Sequence, residues 1–221
     1  MRSILTAITF AVLAVPAGAA DLGFPYKAPP GAAPPWFVYM GLETGGAVTQ
    51  HSFDFLGTGT GTVQIGGALA GALVGLEYKS PFFMGRIEVD GDYDFGRGGA
   101  MCMGGTIACH INRGGIVTER VDIGLPQGWL GGATPYVSAG AQQAQVFAAV
   151  DGVGTASQWT NAFLAGAGID LPAGQLFSMG FRWDHVWTAQ AITLVAPAAV
   201  PVVANNAASD IFKVNLKWRL N

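Results

Sequence analysis

The sequence predicts an all-β fold, an eight-stranded antiparallel up-and-down transmembrane β-barrel, and three observations lead there. The chain is 51% hydrophobic and only 11% charged, yet beyond its first residues no segment offers the roughly 20 uninterrupted apolar residues that a membrane helix needs. It carries 33 glycines, unfavourable in helices but suited to the crowded inward positions of a narrow barrel. Several stretches alternate apolar and polar residues with period two, so that one face can meet lipid while the other faces a lumen.

The amino end reads as an export signal. Arg2 precedes an apolar run from Ile4 to Val15, and Pro16, Ala17, Gly18, Ala19 and Ala20 supply a small-residue cleavage site, expected after Ala19. Cleavage removes Arg2, leaving Lys+Arg 10 against Asp+Glu 14, a formal charge of −4 in place of −3. That balance argues against nucleic acid as a partner. Residues 20–35 contain Pro25, Pro29, Pro30, Pro34 and Pro35 and read as an extended periplasmic lead-in. The barrel is then expected over residues 36–221.

Strands are expected at Trp36 to Thr49, Ile65 to Tyr78, Phe82 to Phe95, Gly115 to Leu125, Thr134 to Ala149, Ser157 to Leu171, Gln175 to Ala189 and Asp210 to Asn221. The third is the clearest: Phe83, Gly85, Ile87, Val89, Gly91, Tyr93 and Phe95 alternate with Met84, Arg86, Glu88, Asp90, Asp92 and Asp94. In the last, Phe212, Val214, Leu216, Trp218 and Leu220 face one way and Lys213, Asn215, Lys217 and Arg219 the other. In the second, Leu69 and Leu73 fall on the inward side with Gly67, Gly71, Gly75 and Glu77, which leaves its register open to a one-residue slip.

Connections alternate in length. Lys79 to Pro81, Pro126 to Ala133 and Pro172 to Gly174 are short, whereas His51 to Gln64, Gly96 to Arg113 and Gln190 to Ser209 are long and are expected as outer loops. Val150 to Ala156 breaks the pattern as a short outer connection. Trp36, Tyr78, Phe82, Tyr93, Phe95, Trp129, Tyr136, Trp159, Trp187 and Trp218 lie near strand ends and suit two interfacial aromatic girdles.

Ala20-Asp21-Leu22 with Tyr26-Lys27-Ala28-Pro29-Pro30, the first strand Trp36-Phe37-Val38-Tyr39-Met40-Gly41, the Gly-x-Gly at Gly166 and Gly168, and Phe212-Lys213-Val214-Asn215-Leu216-Lys217-Trp218-Arg219 resemble alphaproteobacterial porin-like outer-membrane proteins, small barrels of the OmpA-like class. The resemblance implies an outer-membrane location in a Gram-negative bacterium, contact with membrane lipid and lipopolysaccharide, and handling by the barrel-assembly machinery. Members of that family usually finish on an aromatic residue, whereas this chain finishes Leu220-Asn221, so that assembly is expected either to rely on Trp218 or to be less efficient. Relatives include immunogenic surface proteins and some haem binders, which points to an extracellular ligand or host surface reached through the loops.

With these registers the lumen collects Glu43, Glu77, Glu88, Asp90, Asp122, Asp170 and Asp184 with Arg86, Arg120, Arg182, Lys213, Lys217 and Arg219. Lys213 or Lys217 can approach Glu43 across the closing seam, and Arg86 and Glu88 lie opposite Arg120 and Asp122. An eight-stranded barrel is just wide enough for side chains to fill, so these charges should pair and plug it. A structural or surface-interaction role follows, with a narrow porin-like channel, opened by exchange of ion-pair partners, as the alternative.

Cys102 and Cys109, seven residues apart on an oxidising export route, are expected to form a disulfide that stiffens an outer loop. A metal site with His110 is the competing reading, although two thiolates and one histidine fall short of a closed zinc set. A lipid-A-modifying enzyme would need a serine, a histidine and a carboxylate in reach of one another. His51-Ser52 with Asp54 lies in a loop, and Asp184-His185 has Ser178 only on the Asp184 side, so the reading is non-enzymatic. No cofactor is implied, since none of the Gly-x-Gly matches sits between a parallel strand and a helix. The apolar stretch Ala191 to Ala204, interrupted by Pro197 and Pro201, is read as an irregular loop or a strand extension, either folding over the barrel mouth or offering an interaction patch.

Overall fold

A computed structural model describes residues 35–55, 59–102, 105–126, 132–174, 176–188, 191–194 and 202–220. The expected signal peptide, the proline-rich lead-in up to Pro34, Trp129, Pro197 and Pro201 lie outside these residues. No described helix is long and apolar enough to cross a membrane. The strands are β1 (Trp36–Phe55), β2 (Gly59–Lys79), β3 (Met84–Asp94), β4 (Arg97–Cys102), β5 (Ile107–Gly124), β6 (Thr134–Val150), β7 (Gly154–Pro172), β8 (Phe177–Thr188), β9 (Ala191–Leu194) and β10 (Val202–Arg219).

Eight of them close the wall. The ladder runs β1-β2-β3-β5-β6-β7-β8-β10, each neighbour antiparallel, and returns to β1 through the pairing of Tyr39 with Arg219 up to Gln50 with Ala208. Closure pairs the backbone groups between neighbours and leaves no edge along the wall, the condition under which strands can stand in hydrocarbon. Alternation then sorts the side chains. Along β3, Arg86, Glu88, Asp90, Asp92 and Asp94 are buried while Ile87 and Tyr93 are exposed on the outer wall. On β2, Leu69 and Leu73 are buried and face inward with Glu77, so the register takes no slip.

The expected strand ends need correction at the end of the barrel away from the termini. The stretches read as long loops are largely strand: β1 and β2 continue as a hairpin to Phe55 and Gly59, the stretch Gly96 to Arg113 holds β4 and the upper part of β5, and the stretch Gln190 to Ser209 holds β9 and the upper part of β10. β9 pairs Ala191 to Leu194 with Asn205 to Val202, which makes part of the apolar last loop a strand extension. The period of these stretches is weakly marked in the sequence, because runs such as Gly59-Thr60-Gly61-Thr62 distinguish two faces poorly. A transmembrane strand needs only about 10 residues, whereas β1 has 20 and β2 has 21, so the hairpins rise beyond the apolar band. The short connection after β6 is a turn at Asp151 to Val153, as its length requires.

Two irregularities mark the change of level. Register shifts by one residue between Gln50 and His51 in the pairing of β1 with β10, and between Arg113 and Ile116 in the pairing of β5 with β6. Such bulges bend a strand and increase its twist. Above them Val63, Ile65, Cys102, Cys109, Ile111, Val146, Ala148 and Val150 form a buried apolar cluster among the hairpins. The Cys102–Cys109 disulfide, with its Cα atoms 6.0 Å apart, lies inside that cluster and ties β4 to β5.

Replacing both cysteines by serine should therefore loosen the β4–β5 hairpin by up to about 2–3 kcal/mol, the entropy of so short a loop. Hydrogen exchange by mass spectrometry should show lost protection over Ala108 to Ile111 and none over Glu119 to Ile123. An equal loss along the whole of β5 would contradict a role confined to the hairpin head.

Candidate functional site

The lumen is the site, and β3 builds its spine. Period two aims Arg86, Glu88, Asp90 and Asp92 inward, and register sets Arg86 opposite Asp122, Glu88 opposite Arg120, and Glu77 opposite Arg86. The far wall supplies Glu43 from β1, Asp170 from β7, Arg182 and Asp184 from β8, and Lys213 and Lys217 from β10.

Three connected centres result. Arg86 donates from Nε to Asp122 Oδ2 at 2.6 Å and from Nη1 to Asp170 Oδ2 at 2.5 Å and Glu77 Oε2 at 3.4 Å. Lys217 Nζ donates to both oxygens of Asp170 at 3.0 Å. Glu88 accepts from Arg182 Nη1 at 2.6 Å on one oxygen and from the Tyr39 hydroxyl at 2.7 Å on the other. Further along, Arg120 donates to Asp184 at 2.8 Å and to Asp90, and Arg182 Nη2 reaches Glu43 at 2.9 Å. Lys213 Nζ stands between Glu43 at 2.7 Å, Asp90 at 2.6 Å and Asp92. Those three carboxylates are close enough together to hold a cation, and the position is taken by this ammonium.

Two tyrosines line the same space. Arg86 stands 4.4 Å from the ring of Tyr136 and 5.9 Å from that of Tyr39. Each phenol lies over a glycine of the adjacent strand: a Cβ at Gly75 would fall on Tyr39, and one at Gly168 would fall on Tyr136. Tyr136 thus faces the lumen and is no part of an outer girdle.

Arg219 differs from the other expected lumen residues. Its guanidinium stands 3.9 Å from the centre of the Phe37 ring at the terminal end of the barrel, and none of the three centres includes it. The structure also adds residues to the set. Asp92 and Asp94 are buried on the inward face of β3, where alternation had already put them, and Arg113 lies in the upper lumen, donating to Thr49 at 2.6 Å and pairing with Asp94 at 3.4 Å. Arg113 stood in a predicted loop, so no period could have pointed to it.

Counted over the described residues, the buried lumen holds nine acids (Glu43, Glu77, Glu88, Asp90, Asp92, Asp94, Asp122, Asp170, Asp184) and six bases (Arg86, Arg113, Arg120, Arg182, Lys213, Lys217). Apolar layers interrupt the polar column. Ala47, Leu69, Ala162, Leu164, Val186 and Ile211 cluster just beyond the Lys213 centre, and the disulfide cluster closes the space above Arg113.

The histidines are dispersed. Asp184 faces the lumen while His185 faces the outer wall, where its Nδ1 lies 2.8 Å from Asp210 and its ring 4.6 Å from that of Trp187. His51 is buried, and among the described residues neither of its ring nitrogens has a hydrogen-bond partner. His110 is exposed on β5, and both cysteines beside it are consumed by the disulfide, which removes the thiolates from the metal reading.

No protein family matches the chain, and no curated protein matches it. Among solved structures it is similar to Neisserial surface protein A, at 7% identity over 83% of this chain and 97% of that one, with a TM-score of 0.46. It is also similar to Ail, the attachment invasion locus protein of Yersinia pestis, at 10% identity over 81% of this chain and 98% of that one, with a TM-score of 0.42. The translocator domain of the autotransporter NalP from Neisseria meningitidis gives 8% identity over 100% of each chain and a TM-score of 0.32. The assignment as a closed eight-stranded barrel rests on the chain's own strand pairing.

Removing one hub cation leaves buried anions without a partner, which costs about 3–5 kcal/mol. Arg86→Met should lower the stability of the purified barrel by that amount in urea unfolding, and adding Asp122→Asn should return part of the loss. Stability within about 0.5 kcal/mol of the parent would show that the network does not hold the lumen together.

Proposed function

We propose that the chain is a closed outer-membrane barrel of a Gram-negative envelope, non-enzymatic, with a structural or surface-interaction role. One observation carries this: an apolar outer wall surrounds a lumen blocked by buried ion pairs and apolar layers. Met40, Leu42, Val74, Val121, Val137, Phe163, Phe181 and Leu216 are all exposed on that wall, an arrangement that water disfavours and hydrocarbon satisfies.

Orientation follows from topology. Eight wall strands leave both ends of the barrel chain on one side, with the short turns, and barrels of this kind keep that side in the periplasm. The long hairpins and their disulfide cluster then form the extracellular head. Export by the amino-terminal signal, insertion by the barrel-assembly machinery, contact with membrane lipid and lipopolysaccharide, and membership of the alphaproteobacterial porin-like class complete the reading. An extracellular ligand or host surface would meet the hairpin head.

A narrow channel is the second reading, favoured by one feature. Arg86 Nη2, Asp122 Oδ1, Asp184 Oδ1 and both amide atoms of Asn215 are buried without a protein hydrogen-bond partner among the described residues, so the network has spare capacity for exchanging partners. The apolar layer containing Leu69, Leu164 and Ile211 opposes it, because a tight apolar constriction excludes water and ions.

The orientation is tested with an epitope tag inserted after Gly152, in the turn joining β6 and β7. The antibody should label intact cells, and the tagged protein should fractionate with the outer membrane and change gel mobility on boiling. Labelling only after the outer membrane is permeabilised would reverse the orientation, and recovery as a soluble protein would remove the membrane reading.

A further inference from the structure

We infer that the periplasmic mouth of the barrel is a binding site for an anionic group, centred on Arg219. A cavity of about 350 Å³ opens there, and its charged lining is Lys79, Lys217 and Arg219 against Glu77 and Asp170. Both acids are already engaged. Glu77 contacts Lys79 at 2.9 Å and Arg86 at 3.4 Å, and Asp170 contacts Arg86 at 2.5 Å and Lys217 at 3.0 Å. Arg219 is the cation left over: among the described residues no carboxylate lies within ion-pair distance of it.

The surroundings suit recognition. The Arg219 guanidinium stands 3.9 Å from the Phe37 ring centre, and Lys79 Nζ stands 5.2 Å from the same centre, so one ring anchors both cations at the cavity wall. A guanidinium held by an aromatic ring keeps planar pairs of N–H donors for a carboxylate or phosphate, and loses less freedom on binding than an unsupported one. Depth is limited by charge. Beyond the mouth, among the described residues, seven buried acids (Glu43, Glu88, Asp90, Asp92, Asp94, Asp122, Asp184) outnumber five buried bases (Arg86, Arg113, Arg120, Arg182, Lys213), so an anion is drawn to the rim and repelled from the interior.

Two sources carry the shared chemistry: a soluble periplasmic carboxylate or phosphate, or the phosphate of an inner-leaflet phospholipid. The exposed Leu176 and Phe177 on the cavity rim put the lipid surface within reach of the second. The site is independent of whether the lumen conducts.

The test is calorimetric titration of citrate, and separately of inorganic phosphate, into the full chain in maltoside micelles, with parent and Arg219→Gln proteins both checked for boiling-dependent mobility. Saturable binding that weakens about tenfold in Arg219→Gln and falls with added potassium chloride is expected. Repeating the citrate titration in phospholipid nanodiscs separates the sources. A further loss of about tenfold identifies the lipid phosphate as the resident, and an unchanged affinity identifies a soluble anion. No saturable binding of either probe up to about 10 mM, or an affinity unaltered within twofold in a folded Arg219→Gln barrel, overturns the site. Phe37→Leu, which keeps every charge, should weaken citrate binding about threefold by removing the ring beneath the guanidinium, and guards against a merely long-range charge effect.

Discussion

Charge buried inside a closed wall of strands with an apolar outer face is the condition to which the rest of this molecule conforms. An ion taken from water loses several kcal/mol of hydration even after the protein relaxes, and recovers it only where partners are close and numerous. Arg86, Arg120 and Arg182 each meet two or more carboxylates, and Lys213 meets three. These contacts join nonadjacent strands across the lumen, so the network braces the barrel in directions that the backbone ladder cannot. Strand register is thereby reinforced, because a slip of one residue in β3 would turn its carboxylates and Arg86 onto the apolar outer face.

The apolar layers complete that arrangement. The cluster of Leu69, Leu164, Val186 and Ile211 lids the ion pairs on the side of the long hairpins and keeps their dielectric low, which strengthens each pair and penalises any that opens. Above it, bulges in β5 and at the β1–β10 pairing give way to a head with its own buried cluster and disulfide. The molecule thus has a lower barrel held by ion pairs and an upper part stabilised by different means, and variation in the head can leave the lower barrel untouched. At the opposite end, among the described residues, the pairing leaves a base over, Arg219, beside the ring of Phe37.

Legibility in the sequence followed the apolar band of the outer wall. Where a strand has hydrocarbon on one side and water-like chemistry on the other, as in Met84 to Asp94 or Phe212 to Leu220, contrast between the two faces is large and alternation could be read directly. The opposition of Arg86 to Asp122 and Glu88 to Arg120 needed only that register. Beyond that band the contrast in the sequence disappears: Gly59 to Gln64, Arg97 to Cys102 and Val202 to Ser209 looked like loop and are strand. Arg113 was hidden for that reason, since its place in the lumen depends on a bulge and not on a period. Tyr136 was misplaced for another, because a tyrosine near a strand end suits a girdle by position while its parity against Ser138 and Gln142 sends it inward. The partners across the lumen, such as Arg182 with Glu88, depend on barrel closure and side-chain reach, which a linear pattern does not encode.

Single-channel recording of the purified barrel in planar bilayers tests the closed lumen most directly. The ion network and the apolar layers predict a current indistinguishable from the lipid background across the voltage range that the bilayer tolerates. Discrete, reproducible conductance steps would contradict the account and establish that the buried pairs exchange partners to admit ions.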